Sequence, residues 1–287
     1  MGFTKKPLKI GFYDIETFNG FEGDVGLVGF KFLDEEYQYF RSSVQFMEYI
    51  QSQCHEYTPA IYGFNSARFD FPKIVDECAF AGMRLKLYDM QLSGSLPIKI
   101  SVRFIDSKKE LAEFRELRGI FRAGSLNTIA SEILGVGKIE SYNAKNITKI
   151  DDECIEYNKR DVELTEKLYK YASDFFNLEV LSTAPSASMK MFTRQYGKEN
   201  IETKFDRRGT TASYYGGRVE IFKTENRVDD RWESVNCYDI NSEYPAAAAN
   251  NVFPVGELVK DKTIAKDGYS YAKVISPYHY IPYTPHR

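Results

Sequence analysis

Two acids, Asp14 and Glu16, stand one residue apart in the apolar stretch "GFYDIETFNG", which breaks at Asn19-Gly20. In an extended strand, residues two apart point to the same side, so both carboxylates would share one face. Charges about 4 Å apart repel by roughly 4 kcal/mol at an effective dielectric of 20. The pair therefore calls for a cation or a proton. The pattern alone is common, since D-x-E recurs at Asp34, Asp151 and Asp161. Two further stretches add to it. "YGFNSARFDF" places Asn65, Phe69 and Asp70 directly after an apolar strand, at the expected start of a helix, where Asp70 could equally be a cap. "EYNKRDVEL" places Tyr157 and Asp161 four apart, on one face of a long helix. A half-exposed surface pair would read the same way.

Other chemistries have little to work with. The histidines are His55, His279 and His286, and the cysteines Cys54, Cys78, Cys154 and Cys237 form no CxxC pair. That disfavours a zinc site, a disulfide framework and a histidine-based triad, and leaves carboxylates to carry any reaction. With 287 residues, 43% hydrophobic and 28% charged, the chain has an ordinary globular composition. A net charge of -3 gives no support to nucleic-acid binding, so any positive surface must be local. The apolar runs are too short to span a membrane, and the first residues lack the apolar core of a signal peptide. Lys6 stands where a myristoylation signal wants Ser or Thr. A cytoplasmic protein without membrane contact is expected.

The elements that must position these residues alternate along the chain. Strands are expected at "LKIGFYDIE", "VGLVGFKFL", "EYQYFR" and "PAIYGF", and helices over roughly 43–56, 70–82, 108–118, 125–135 and 151–176. The last helix is the clearest, with caps and acids from Thr148 to Asp152. This is the pattern of an α/β layer domain with a mixed sheet. "STAPSAS" at 182–188 reads as a linker or helix entry, which divides the chain into domains 1–182 and 183–287. A helix near 186–197 and a Gly216-Gly217 turn follow.

Taken in order, D-x-E on a strand, N-x-x-x-F-D at a helix start and Y-x-x-x-D on a late helix resemble the three exonuclease motifs of family B DNA polymerases. Those motifs belong to the 3′–5′ proofreading domain, and Tyr157 marks the DEDDy branch of its superfamily. The resemblance implies a ribonuclease H-like α/β exonuclease domain followed by the start of an α+β polymerase palm. It also implies two divalent ions, Mg²⁺ or Mn²⁺, which suits oxygen ligands and phosphodiester hydrolysis. Asp14, Glu16 and Asp161 would hold one ion, Asp14 and Asp70 would lie near the second, and Tyr157 would orient the attacking water. Asn65 and Phe69 would contact the terminal nucleotides of an unpaired 3′ end. Ser125-Leu126, followed by Ile129, is similar to the family's single-strand-binding motif, although "SL" before a helix is also a routine N-cap. Lys138 resembles a lysine that bears on the phosphate, although it could be a plain loop residue.

The second half carries the resemblance further. Tyr214, Gly216 and Gly217 look like the motif that contacts template DNA between the two domains, where a hairpin turn is the plainer reading. "YDINSEYPAAA" resembles polymerase motif A, with Asp239, Ser242, Tyr244 and Pro245 in register and Glu243 in place of the usual Leu. This implies Asp239 and the Ile240 carbonyl as metal ligands, and Ser242 and Tyr244 at the nucleotide. The compact N-terminal exonuclease looks most like the protein-primed subgroup, which implies primer-template DNA, dNTPs and a terminal-protein primer as partners. Motifs B and C are absent, and no D-x-D occurs. The expectation is the N-terminal portion of a polymerase, exonuclease only by itself, with motifs B and C belonging to missing sequence or to a second chain. The alternatives are a stand-alone DEDDy exonuclease and a non-catalytic DNA-binding half of a split replicase.

Overall fold

Strand β1 (Leu8–Thr17) alternates cleanly: Ile10 and Phe12 pack to one side, Tyr13 and Ile15 to the other. Asp14 and Glu16 share the Ile10–Phe12 side. The computed structural model describes residues 8–20, 23–54, 57–121, 124–139, 142, 147–198, 227–228, 231–232 and 243–251. Tyr214, Gly216, Gly217, Asp239, Ile240 and Ser242 lie outside the described residues.

Around β1, the strands β2 (Val25–Phe32), β3 (Gln38–Phe40), β4 (Thr58–Gly63), β5 (Leu85–Ser93), β6 (Leu96–Phe104) and β7 (Ala112–Glu116) form one sheet in the order β3-β2-β1-β4-β7-β6-β5. The β1–β4 and β4–β7 pairs are parallel and the others antiparallel, so the sheet is mixed. Helices α1 (Ser43–Gln53) and α2 (Asp70–Phe80) cover one face through Phe46, Met47, Ile50, Phe71 and Ile74. On the opposite face lie α3 (Leu126–Leu134) and α4 (Asp152–Phe176), which bury Ile129, Val162, Leu164, Leu168 and Tyr169 with Phe12 and Tyr62. The caps are local and conventional. The Asp151 carboxylate accepts the Cys154 N–H at 3.0 Å to open α4, and Asn177 closes it at φ 50°.

The structure differs from the sequence reading at three strands: β7 stands where a helix is expected, and β5 and β6 lie where no element is expected. The pattern over 108–118 ("KKELAEFRELR") predicts a helix; Ala112–Glu116 is instead the interior strand β7, buried throughout. Pairing on both sides overrides the helix propensity of a run rich in Lys, Glu, Leu, Ala and Arg, and its charges satisfy one another: Arg115 pairs with Glu113, and Lys99 of β6 lies 3.5 Å from Glu113. The β5–β6 hairpin completes the sheet, and β6 alternates Ile98, Ile100, Val102 and Phe104 with Lys99, Ser101 and Arg103. Contacts divide the chain into two units, Met1–Tyr196 and Gly197–Arg287. The first ends with α5 (Ala184–Tyr196); in the second, the described elements are β8 (Arg227–Val228) paired with β9 (Arg231–Trp232), and α6 (Glu243–Asn250). No helix among the described residues is long and apolar enough to cross a membrane.

Candidate active site

Strand β1 delivers Asp14 and Glu16, and α4, crossing that face of the sheet, delivers Asp161. Oxygens of the three carboxylates lie within 4.8 Å of one another. Glu16 and Asp161 are buried, and Asp14 is half-buried. Such a group repels itself, and its protons are held accordingly. Burial, then the Asp161 charge, pushes Asp14 up to about 7. Burial, then Asp14 and Asp161, pushes Glu16 up to about 9. Burial also raises Asp161, against the pull of Lys138. One Asp161 oxygen, Oδ1, is buried with no hydrogen-bond partner. An orphaned carboxylate oxygen in a cluster of hard oxygen donors fits a divalent cation, which would satisfy it and offset the repulsion.

Lys138, on the loop after α3, points into this group. Its ammonium donates to Asp161 and, at 3.3 Å, to the Tyr157 hydroxyl. Burial works against that ammonium, yet Asp161, Asp14 and Tyr157 hold its pKa well above the usual value. The Lys138 N–H donates to Asn127 at 2.7 Å, and the Arg160 side chain donates to the Gly137 carbonyl at 3.0 Å, so the loop is tied to both α3 and α4. Tyr157 packs on Tyr142, ring centroids 4.8 Å apart. Burial and the Asp161 charge push its hydroxyl up to about 12, so it keeps its proton near neutral pH.

Beside the acids opens a cleft of about 390 Å³ lined by Asp14, Phe64, Asn65, Arg118, Gly124, Ser125, Leu126 and Lys138. Sequence reasoning named five of these eight. Ser125 plays a second part as well, since its hydroxyl caps α3 by accepting the Thr128 N–H at 3.1 Å. Phe69 is not among the lining residues; its ring is half-buried against the α1–α2 core. Asp70 opens α2 outside the tight group of three. Burial, then the charges of Asp14, Glu116 and Glu16, holds its carboxyl well above the usual range. Tyr244 sits in the first turn of α6, exposed.

Four residues of this region escaped the sequence. Arg118 donates to the Asn65 side chain at 2.7 Å. Asn65 itself is left-handed, φ 62°, and Glu116 holds that turn by accepting the N–H groups of Asn65 (2.7 Å), Ala67 (3.1 Å) and Arg118 (2.9 Å). Asn158 donates to Asp14 and Glu16, and Tyr37 donates to Asn158. Only Asn158 left a signal: Asn158, Asp161 and Thr165 are polar residues three and four apart on the helix face that must be buried.

The comparisons with known proteins bear on this arrangement. The family model for DNA polymerase type B, organellar and viral, matches residues 127–287, more than half of the chain. The chain belongs to this family. Within family B, solved structures agree with the fold. Phi29 DNA polymerase complexed with primer-template DNA (the post-translocation binary complex) is similar over 74% of this chain, with TM-score 0.57 and 16% identity. The ternary complex of Phi29 DNA polymerase with primer-template DNA and incoming nucleotides is similar over 75%, with TM-score 0.57 and 13% identity. The chain spans 40% of the length of each. At such identity the likeness shows the fold alone, an α/β arrangement around a mixed sheet. No curated protein matches the sequence. The matched family segment contains Lys138, Tyr157 and Asp161, whereas Asp14, Glu16 and Asp70 precede it.

Proposed function

We propose that the Met1–Tyr196 unit is a metal-dependent 3′–5′ exonuclease that removes nucleotides from an unpaired DNA end, in the service of a family B polymerase. The observation that carries this reading is the group of Asp14, Glu16 and Asp161 at the edge of a cleft sized for a small ligand. Asp14, Glu16 and Asp161 would hold a divalent ion, Mg²⁺ or Mn²⁺, with Asp70 close to a second. When bound, such ions supply neutralisation of phosphate charge and activation of water.

The protein's own groups do the rest. Asn65, backed by Arg118, together with Leu126 and Ser125 would receive the terminal nucleotide in the cleft. Tyr157, protonated and steadied by Lys138, is placed to orient a water by donating from or accepting at its hydroxyl. Lys138 counters the excess negative charge that would otherwise turn a phosphate away. In the same reading Phe69, from the second motif, contacts the strand on its way in, a role its half-buried ring leaves narrow.

For the second unit we infer the beginning of a palm: Tyr214, Gly216 and Gly217 at template DNA, with Asp239, Ile240, Ser242 and Tyr244 at metal and nucleotide. Nucleotidyl transfer needs a further acidic motif that these 287 residues do not carry. Primer-template DNA, dNTPs and a terminal-protein primer are the partners this assigns to the complete enzyme.

The test is digestion of a 5′-labelled single-stranded oligonucleotide with Mg²⁺ or Mn²⁺. Shortening from the 3′ end is expected, abolished by chelator. Asp14→Ala and Asp161→Ala should each lose more than the roughly 100-fold that removal of a ligand's supporting partner costs. A well-folded wild type that leaves the oligonucleotide intact overturns the reading.

A further inference from the structure

We propose that Asn158 is a positioning residue for the metal-ligand carboxylates, and that Tyr37 fixes which end of its amide they meet; this rests on the metal-binding reading above. Asn158 follows Tyr157 on α4, faces the sheet and is fully buried at 0% exposure. Its Nδ2 donates to Asp14 Oδ2 at 3.1 Å and to Glu16 Oε1 at 3.4 Å. Its Oδ1 accepts from the Tyr37 hydroxyl at 2.9 Å.

An amide has one donor end and one acceptor end, and the carboxylates that hold a cation are ionised and only accept. The orientation is therefore determined: the NH₂ must meet the acids, and the Tyr37 hydroxyl hydrogen occupies the oxygen that would otherwise face them. One donor group thus spans two carboxylates that repel each other, and sets the angle at which both present their remaining lone pairs towards Asp161. Residues that orient ligands in this way are a regular part of metal sites.

The backbone makes room for it. Gly29 of β2 is the cross-strand partner of Asp14, and a Cβ built at Gly29 would lie 1.7 Å from Asn158 Oδ1. Glycine weakens a strand interior and marks a close approach by another group. Here the approaching group is the Asn158 amide. A residue that only filled the helix–sheet interface would need neither the vacated Cβ nor the aligned hydroxyl.

The experiment measures Mn²⁺ affinity of the full chain by the loss of the free-ion paramagnetic resonance signal, beside urea midpoints in EDTA. Asn158→Ala should weaken Mn²⁺ binding by about 10- to 100-fold. Tyr37→Phe should weaken it less, and the double variant should bind no worse than Asn158→Ala alone, because both act through one amide. Wild-type affinity in both single variants overturns the proposal. If Asn158→Ala also lowers the EDTA midpoint, Tyr37→Phe decides: an unchanged midpoint with weaker Mn²⁺ binding supports the assignment, and an unchanged midpoint with unchanged binding overturns it. A wild type that binds no Mn²⁺ sinks the metal site itself together with this inference, whereas failure in the variants alone removes only the inference.

Discussion

Taking one carboxylate out of a self-repelling group changes the two that stay. Burial is the largest cause of the upward push on Glu16, and the Asp14 charge is the next. Asp14→Asn should therefore stabilise the metal-free protein, by about 0.5–2 kcal/mol in urea unfolding, while ending divalent-ion binding. The same charges give stability a pH dependence in EDTA. The folded protein holds protons on Asp14 up to about 7 and on Glu16 up to about 9, above the ordinary carboxylate range. It therefore binds more protons than the unfolded chain. Their contribution is fully present below about pH 4 and is lost as pH rises through those two values. Urea midpoints at pH 5.5, 7 and 8.5 should fall in that order from this term, and Mg²⁺ should flatten the slope. Lys138 lowers Asp14, Glu16 and Asp161 alike. Lys138→Gln should thus move the acid limb of the nuclease pH–rate profile to higher pH, because the ligands give up their protons later. Asp14, Glu16, Tyr157 and Asp161 were legible through the ordered series of three motifs and its family resemblance, since each spacing taken singly has a plainer reading. Arg118, Glu116 and Tyr37 were not, since each matters through a partner 49 to 121 residues away.

Elements were legible where periodicity and burial agree. β1, β2, β4, α1, α2, α3 and α4 follow their patterns within a few residues. β7 does not, because an interior strand with alternating acids and bases resembles the surface of a helix until its neighbours are known. Its charges are satisfied within the sheet, so they are hostage to one another. Glu113→Ala would leave Arg115 buried opposite nothing and Lys99 with only Asp89. The expected loss is about 3–5 kcal/mol in urea unfolding, larger than that of an exposed ion pair such as Arg84–Asp106, where removal should cost under about 1 kcal/mol.

At the scale of the molecule, the Met1–Tyr196 unit holds both faces of its sheet covered by its own helices. Residues 1–196 produced alone should unfold in one cooperative transition and keep the 3′-end digestion of the full chain, a comparison that matched urea curves and oligonucleotide ladders would make. The palm assignment was legible only as motif, through "YDINSEYP", because Asp239, Ile240 and Ser242 lie outside the described residues. Finally, the alternation of β1 amounts to a reading frame. Ile10, Phe12, Asp14 and Glu16 are in phase with one side of the sheet, and Tyr13 and Ile15 with the other. Exchanging any one side chain disturbs one position, but inserting or deleting a single residue upstream in the strand would swap the phases. Tyrosine and isoleucine would then stand where the acids belong, and two carboxylates would be turned into the α1–α2 core. This stretch should therefore accept substitutions far more readily than changes of length.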